Sequence, residues 1–293
     1  MSQPRPDPRI SFIIPVFNGL PFTRACLDSL GQTVNLLEHE VILIDDHSTD
    51  GTREYLAALP EPPFRIVRNE VRQGYARSNN VAAAAARGEF LCLLNNDLVL
   101  TPGWLAPMLS VFDRFPNAGV VGNVQRNPRT GQYDHMGLVF APDGTPWHFG
   151  KHFSFRPHRG STEWRAVTAA CCLIRRRLFL EVGGFDEAYI NGSEDIDLCL
   201  RLWQRGYRHY VANDSVIVHH VSVSEGRLDH VNENQNRLLE KWGEIVHRSL
   251  TRHDRRRYAY NYVLRNLTHP WRYNGPRLSR ALLCLTTGGC TRV

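Results

Sequence analysis

The feature that most constrains the fold is a run of apolar residues that ends abruptly in three short polar side chains. Residues 91–97 read Leu-Cys-Leu-Leu-Asn-Asn-Asp. Such a run is typical of a strand buried on both faces of a parallel sheet, and ligands bind beyond the carboxyl ends of these strands. Asn95, Asn96 and Asp97 therefore stand where either a polar turn or a divalent-cation site is expected, and the triplet alone leaves both interpretations open.

Strand-like and helix-like segments alternate through the first third of the chain. β-Branched apolar runs at residues 10–16, 40–44 and 64–67 are separated by helical patterns, and an Ala-rich helix precedes the run that ends at Asp97. This alternation predicts an α/β fold with a mostly parallel central sheet and helices on both faces.

The second half of the chain is less regular. We expect strands at residues 119–124, 134–140 and 166–174, then two short strands at 209–211 and 216–219. Residues 141–164 are rich in Gly, Pro, His and aromatic side chains and lack a period, so they predict a long loop, a candidate substrate-side flap. From residue 227 the pattern is helical, and from residue 252 it is strongly basic.

Composition is that of a globular protein. Hydrophobic residues make up 42% and charged residues 22% of the 293 residues, and the net charge of +6 is carried mostly by arginine. The seven cysteines have no paired metal-ligand spacing and are expected to be reduced. Residues 1–9 lack the apolar core of a signal peptide, and no apolar run has the length of a membrane span. These features predict a cytoplasmic protein.

Polar clusters end several predicted strands or begin predicted helices. They are Asp45 with Asp46, residues 95–97, residues 194–197, and His219 with His220. Because the carboxyl ends of parallel strands meet at one edge, we expect these side chains to lie together. Helix capping is the competing explanation for each acidic cluster at a helix start.

Taken together and in this order, the motifs resemble the nucleotide-sugar-dependent glycosyltransferases of family 2, and in particular their rhamnosyltransferase-like group. The segments that carry the resemblance are residues 13–18 (Ile-Ile-Pro-Val-Phe-Asn), 44–52, 74–80, 95–97, 183–186 and 194–201. The resemblance implies the GT-A fold, with a mostly parallel central sheet and a helical C-terminal tail. It also implies a glycosyltransferase domain at residues 1–226, with a nucleotide-binding half at 1–125 and an acceptor-side half at 126–226, followed by a basic extension at 227–293.

The resemblance further implies an inverting transfer of a hexosyl or deoxyhexosyl group from a nucleotide-diphosphate donor to a glycan or lipid-linked glycan, as in cell-surface polysaccharide biosynthesis. Asp195 would be the general base, oriented by Glu194, and Asp197 would be structural. Asp97 and His219 would hold Mn²⁺ or Mg²⁺, with His220 as the rival ligand. The residues expected to bind the nucleotide sugar are Pro15, Phe17, Asn18, Asp46, Ser48, Arg77, Asn95 and Asn96.

One motif departs from the family pattern. The metal motif reads Asn-Asn-Asp, with an amide where the family often has its first carboxylate. An amide oxygen is a weaker ligand for a hard cation than a carboxylate, so the resemblance predicts lower metal affinity or a stronger dependence on the bound diphosphate.

Two other functions compete with this interpretation. A sugar nucleotidyltransferase would carry a Gly-rich phosphate loop near the N-terminus, which is absent here. A non-catalytic sugar-binding domain of the same fold would not need both Asp97 and Asp195. The basic tail, residues 252–257 with later Tyr and Trp residues including Trp271 and Tyr273, suits peripheral contact with an anionic membrane, a protein partner or a solvated helix. No nucleic-acid reader motif accompanies it, and nothing indicates an oligomeric state.

Overall fold

The computed structural model describes residues 8–156, 158–220, 229–269 and 275–287. Trp271 and Tyr273, which the sequence assigns to the basic tail, lie outside the described residues. The strands are β1 Ile10–Val16, β2 Glu40–Asp45, β3 Phe64–Arg68, β4 Phe90–Leu94, β5 Leu98–Val99, β6 Ala118–Arg126, β7 Tyr133–His135, β8 Leu138–Phe140, β9 Pro146–His148, β10 Ser161–Trp164, β11 Cys171–Arg175 and β12 Arg208–His219. The helices are α1 Leu20–Thr33, α2 Thr52–Ala57, α3 Tyr75–Ala85, α4 Leu105–Arg114, α5 Arg176–Glu181, α6 Glu194–Gln204, α7 Val231–Ser249, α8 Arg252–Thr268 and α9 Gly275–Thr287.

A ten-stranded sheet with the order β10-β12-β6-β11-β4-β1-β2-β3 organises the molecule, with β5 added to β12 and β7 added to β6. Strands β3, β2, β1 and β4 are parallel. Strand β11 is antiparallel to both β4 and β6, so β6 and its parallel neighbour β12 run in the direction of β4. The carboxyl ends of β1, β2, β4, β6 and β12 consequently meet at one edge, and the predicted α/β architecture is confirmed.

The central strands are buried on both faces, which explains their unbroken apolar sequences. On β4, Leu91 and Leu93 pack into one core layer, whereas Cys92 and Leu94 pack into the other. All four side chains are fully excluded from solvent. Each large aliphatic side chain buried in this way contributes about 1.5–3 kcal/mol to folding, so the sheet that carries the polar edge is a rigid platform.

Two predictions for the second half are corrected by strand pairing. Residues 141–164 are not a single loop, because β9 pairs with β8 and β10 pairs with β12. The two short strands expected around residues 209–219 form one long strand, β12, with a register shift between Ala212 and Val216. The partners of β10 and β12 are distant in sequence, whereas β8 and β9 form a local hairpin whose strands of three residues are too short to show a period.

The C-terminal helices pack in two different ways. Helix α7 contributes Leu238, Trp242 and Val246 to a main core layer, whereas α8 and α9 share a separate small cluster. Over the described ranges, no helix is both long enough and apolar enough to cross a membrane. Five buried cysteines are free thiols, as expected. The same expectation is wrong for Cys284, which is disulfide-bonded.

Candidate active site

A cleft of about 580 Å³ opens at the edge of the sheet where the carboxyl ends meet. Its floor comes from the ends of β1, β2, β4, β6 and β12, and its walls come from the segment before α6 and from α7. Nine of the residues predicted from sequence line this cleft: Pro15, Phe17, Asp46, Asn95, Asn96, Asp97, Glu194, Asp195 and His219.

Asp97 and His219 form a close pair in the floor of the cleft. Strand β5 pairs with the end of β12 so that His219 stands opposite Leu98, which brings the imidazole beside the carboxylate of Asp97. The distance from His219 Nε2 to Asp97 Oδ1 is 3.1 Å. Both residues are buried, with 4% and 6% of their surface exposed respectively. A short strand pairing therefore creates the pair.

The chemistry of this pair suits a divalent cation. His219 Nδ1 lies 2.8 Å from Gln125 Oε1, and with that oxygen as acceptor Nδ1 carries the hydrogen. The lone pair of Nε2 then faces a carboxylate oxygen of Asp97, so two acceptor atoms repel each other. A cation bound between them would remove this repulsion. Among the described residues, no group of three or more His, Cys, Asp or Glu side chains is placed to hold a metal ion.

His220 occupies a different environment from its neighbour. Its ring packs against Phe22, with the ring centroids 5.1 Å apart, and it does not line the cleft. Its backbone N–H donates to the Asp97 carbonyl at 3.0 Å. Alternate side chains of a strand point to opposite sides, so only one of the two histidines can face the cleft.

The two asparagines before Asp97 have structural partners. Asn96 is buried, and its amide donates to Thr23 Oγ1 at 3.0 Å and to the carbonyl of Asn18 at 3.3 Å. The backbone N–H of Asn95 donates to the carbonyl of Ala170 at 2.8 Å, and its half-buried side chain faces the cleft. Asn96 thus fixes the turn after β1, whereas the Asn95 amide is available to a ligand.

Asp46 organises a loop beside the cleft. Its carboxylate accepts the backbone N–H groups of Gln73 at 2.7 Å and Gly74 at 2.9 Å, and the Asn69 amide at 2.8 Å. Three hydrogen bonds leave about one of the four acceptor positions of the carboxylate for a ligand. Asp46 therefore shapes this end of the cleft through residues 69–74 and also lines the cleft itself.

An arginine missed by sequence reasoning lies at this end of the cleft. The guanidinium of Arg72 stacks on Phe17, with 3.8 Å from its central carbon to the ring centroid, and both residues line the cleft. Arg77, which was predicted to contact the nucleotide, is exposed on α3 and is absent from the lining. The helical register turns Arg77 outward, and no sequence motif marks Arg72.

Asn18 and Ser48 lie behind the cleft wall and join two loops. The Asn18 backbone N–H donates to Ser48 Oγ at 2.9 Å, and the Asn18 side chain accepts the Thr49 N–H at 2.8 Å. Neither residue lines the cleft. Their bonds tie the turn after β1 to the loop after β2, so these two residues support the binding site without facing it.

Asp195 lies on the opposite wall, at the start of α6. Its carboxylate accepts the N–H of Ala169 at 3.0 Å and that of Ile196 at 2.8 Å. Tyr75 donates its hydroxyl to the carbonyl of the same Ala169 at 3.0 Å. Burial raises the pKa of Asp195 above that of an ordinary aspartate, although these hydrogen bonds oppose the shift. An elevated pKa favours proton transfer by a carboxylate near neutral pH.

The other two acidic residues of α6 have distinct surroundings. Glu194 lines the cleft and accepts the N–H of Gly192 at 2.6 Å. Asp197 is fully buried, lies away from the cleft and accepts Arg201 at 2.7 Å and Trp242 Nε1 at 2.8 Å. Lys241 adds an ion pair to Asp197 at 2.8 Å. Asp197 therefore anchors α6 to the rest of the protein.

Two histidines and a lysine in the lining of the cleft belong to no motif in the sequence. His135 Nδ1 lies 2.8 Å from His148 Nδ1, and Lys151 also lines the cleft. Burial holds the pKa of His135 well below its usual value, with a smaller effect from His148 and His219. His135 is therefore neutral at physiological pH. Sequence reasoning did not single out these residues, because His148 and Lys151 lie within residues 141–164, which have no recognisable period, and His135 lies just before them.

Comparison with known proteins agrees with the geometry. The family model described as "Glycosyl transferase family 2" matches residues 11–183. The chain is 33% identical over 229 residues to the O-antigen biosynthesis protein RfbC of Myxococcus xanthus, which covers 75% of this chain but only 18% of that protein. It is 29% identical over 212 residues to N-acetylglucosaminyl-diphospho-decaprenol L-rhamnosyltransferase of Mycobacterium tuberculosis, covering 64% of this chain and 68% of that protein.

The fold has a counterpart among solved structures. The structure of GalNAc-T7 with UDP, GalNAc and Mn²⁺ matches with a TM-score of 0.64 at 17% identity, and the match covers 90% of this chain and 51% of that chain. At this identity the likeness establishes the fold, which is GT-A. With the sheet, the cleft and the family match in agreement, the chain belongs to glycosyl transferase family 2.

Proposed function

We propose that this glycosyltransferase moves a hexosyl or deoxyhexosyl group, with inversion, from a nucleotide-diphosphate donor to a glycan or lipid-linked glycan. The observation that carries the proposal is that one cleft contains the Asp97–His219 pair in its floor and the Asp195 carboxylate in its wall. A single displacement needs groups for two tasks, stabilising the leaving group and accepting the proton of the nucleophile.

The donor nucleotide would occupy the end of the cleft formed by β1, β2 and the loop held by Asp46. The Phe17 ring with the stacked Arg72 offers a flat surface and a positive charge, which suit a base and a phosphate respectively. The Asn95 amide would contact the donor sugar or ribose. The GalNAc-T7 structure, which shares the fold, contains UDP, and this supports a nucleotide ligand for this protein.

Asp97 and His219 would hold Mn²⁺ or Mg²⁺, with further ligands supplied by the diphosphate. Carboxylate oxygen suits Mn²⁺ and Mg²⁺, and with Gln125 Oε1 as the acceptor of Nδ1–H the His219 Nε2 lone pair is the one that could bind the metal. A divalent cation bound there would neutralise the negative charge that develops on the leaving diphosphate. The Mn²⁺ named with GalNAc-T7 supports a divalent metal in this fold.

Asp195 would remove the proton from the acceptor hydroxyl as that oxygen attacks the anomeric carbon. The Ala169 and Ile196 N–H groups orient the carboxylate, and burial raises its pKa toward working pH. Glu194, whose carboxylate is fixed by the Gly192 N–H, would bind another acceptor hydroxyl or orient the base. Attack on the face opposite the leaving group gives inversion.

The acceptor class is inferred from the relatives and from the tail. The names of the two relatives refer to O-antigen biosynthesis and to a decaprenol-linked sugar, which supports a glycan or lipid-linked acceptor. Helices α8 and α9 carry three exposed leucines, Leu267, Leu282 and Leu283, beside exposed arginines such as Arg280. Exposed leucine with arginine suits contact with an anionic membrane surface, where such an acceptor would be presented.

The test is donor consumption. Purified protein is incubated with a panel of UDP, GDP and dTDP sugars, with Mn²⁺, with Mg²⁺ or with EDTA, and the released nucleoside diphosphate is measured. We expect nucleoside diphosphate to be released from one class of donor, and we expect this release to be lost in EDTA. If no donor is consumed and calorimetry detects no nucleoside diphosphate binding, the proposed enzymatic function is refuted. Formation of a nucleotide sugar from a sugar phosphate would instead favour a nucleotidyltransferase.

A further inference from the structure

Helix α7 holds the segment that carries Asp195 at two points, one on each side of that residue. Before it, Asn234 Oδ1 accepts the backbone N–H of Ile190 at 3.1 Å, and Asn234 Nδ2 donates to the Ile190 carbonyl at 2.7 Å. After it, Trp242 Nε1 donates to Asp197 Oδ1 at 2.8 Å. Asn234 and Trp242 are each only 4% exposed. The segment is therefore fixed to one helix by buried contacts.

The backbone between these points has an unusual conformation. Asn191 has a φ of 53° and Ser193 a φ of 73°, both in the left-handed region, where non-glycine residues are uncommon. Ser193 is the N-cap of α6, and its side chain makes no capping hydrogen bond. Such a conformation persists only where surrounding contacts maintain it. One such contact comes from α3, where the Tyr75 N–H donates to Asn191 Oδ1 at 3.1 Å.

The Asn234 contact is suited to this task because it pairs with both polar groups of one peptide residue. A carboxamide offers a donor and an acceptor side by side, so it binds the N–H and the carbonyl of Ile190 at the same time. An ionised carboxylate could accept the N–H but would repel the carbonyl. A hydrocarbon side chain would make neither of these hydrogen bonds.

We propose that Asn234 is a positioning residue for catalysis, which keeps the Asp195 carboxylate in its productive place by fixing Ile190 and the turn before α6. This inference rests on the proposed function, in which Asp195 is the general base. Asn234 acts through the backbone and not on the reacting atoms. The titratable groups that face Asp195 are Glu194 and Cys199 on α6, Tyr75 on α3 and Cys172 on β11.

The first test compares Asn234→Ala with Asn236→Ala, a matched change at an exposed asparagine of the same helix. Turnover of the donor identified by the panel is measured with saturating Mn²⁺. We expect Asn234→Ala to lower kcat by about ten- to a hundredfold, the effect of a misplaced catalytic group. The donor KM and nucleoside diphosphate affinity should not change, and Asn236→Ala should match the unaltered protein. A change confined to KM would overturn the proposal, since it indicates direct substrate binding.

The pH profile separates positioning from loss of folded protein. If the turn loosens, water reaches the Asp195 carboxyl, its raised pKa falls, and the acidic limb of the kcat profile moves to lower pH. A smaller fraction of folded enzyme would lower the apparent kcat by the same factor at every pH and would not move the acidic limb. That result would contradict the proposal.

A conservative substitution tests the paired hydrogen bonds. In Asn234→Asp, a protonated carboxyl can donate to the Ile190 carbonyl while accepting its N–H, as the amide does. We expect activity close to that of the unaltered protein at acidic pH and a relative loss as the pH rises and the new carboxyl ionises. A relative activity independent of pH would count against the proposal.

Hydrogen exchange gives a readout without activity. Asn234→Ala should accelerate amide exchange in the peptide covering residues 190–197 and leave peptides from β1 and β4 unchanged, whereas Asn236→Ala should alter neither. Unchanged exchange at 190–197, or a uniform increase across the protein, would overturn the inference. Full transfer activity in Asp195→Asn would instead refute the proposed function, whatever the exchange result.

Discussion

Asp97 Oδ1 lies 3.1 Å from His219 Nε2, and this contact joins the turn between β4 and β5 to the end of β12, the longest strand among the described residues. Two residues far apart in sequence thereby form one buried acidic and imidazole pair. The pairing of β5 with β12 brings it about, because it places His219 opposite Leu98. The pair provides two potential metal ligands at the floor of a cleft, directly beside the proposed diphosphate position.

Asp97→Ala should abolish the metal dependence of nucleotide binding. Removing the carboxylate leaves His219 as a lone ligand from the pair, which holds a hard cation poorly. Calorimetric titration of the nucleoside diphosphate, with Mn²⁺ and with EDTA, is the measurement. His220→Ala is the control, because that ring packs on Phe22 outside the cleft, and it should retain the dependence. A metal effect that survives in Asp97→Ala would refute the assigned role.

Asp195→Asn should stop transfer while nucleotide binding remains. The amide is isosteric with the carboxylate but cannot accept the acceptor proton, and loss of a general base lowers kcat by about 10²–10⁴. Product formation and nucleoside diphosphate affinity are measured on the same preparation. Parallel loss of both would show that Asp195 serves the fold or the donor site instead.

The kcat of the unaltered protein should fall on acidification at a pH above the usual range of aspartate. Burial raises the pKa of Asp195, and a base works only when deprotonated, so the rate is lost as the pH decreases through that raised value. The pH at which kcat falls should not change when the Mn²⁺ concentration is varied. If release of the metal caused the fall, that pH would shift with the Mn²⁺ concentration. A profile that is flat down to the usual aspartate range would contradict the assignment.

Arg72→Ala should weaken nucleoside diphosphate binding, and Arg77→Ala should not. Arg72 stacks on Phe17 inside the cleft, whereas Arg77 is exposed on α3 outside it. Loss of a charge-assisted contact to a phosphate costs about 1.5–3 kcal/mol, which corresponds to an affinity reduced by roughly tenfold or more. The dissociation constants are compared at fixed ionic strength. An equal effect of both substitutions would indicate that the arginine charges act at long range and that Arg72 does not contact the phosphate.

Asp197→Ala should destabilise the protein strongly. The carboxylate is fully buried and accepts Arg201, Trp242 and Lys241, so its removal leaves buried donors and charge without a partner. The expected loss in the free energy of unfolding is about 3–5 kcal/mol, measured by urea denaturation. Asp186→Ala removes the more exposed partner of the same Lys241 and should cost about 1 kcal/mol or less.

The N-terminal half of the fold could be predicted from sequence because its signals are local. The strand predicted at residues 10–16 is β1 as observed, and Gly88 and residues 95–97 bound β4 as the pattern indicated. Chain order also indicated that Asp46, Asp97 and Asp195 share one edge, since parallel strands bring their carboxyl ends together. Residues 141–164 could not be predicted in this way, because β9 is a strand of only three residues and β10 pairs with β12, which lies far along the chain.

Sequence by itself determined the class of fold, the family and the identity of the polar residues at the edge of the sheet. Only the tertiary structure decided that His219 and not His220 faces the cleft, that Arg72 and not Arg77 lines it, and that Asn234 and Trp242 of α7 hold the segment around Asp195. The reason is physical. Apolar periodicity records which face of an element is buried, whereas strand register and contacts between distant helices are set by packing across the whole molecule.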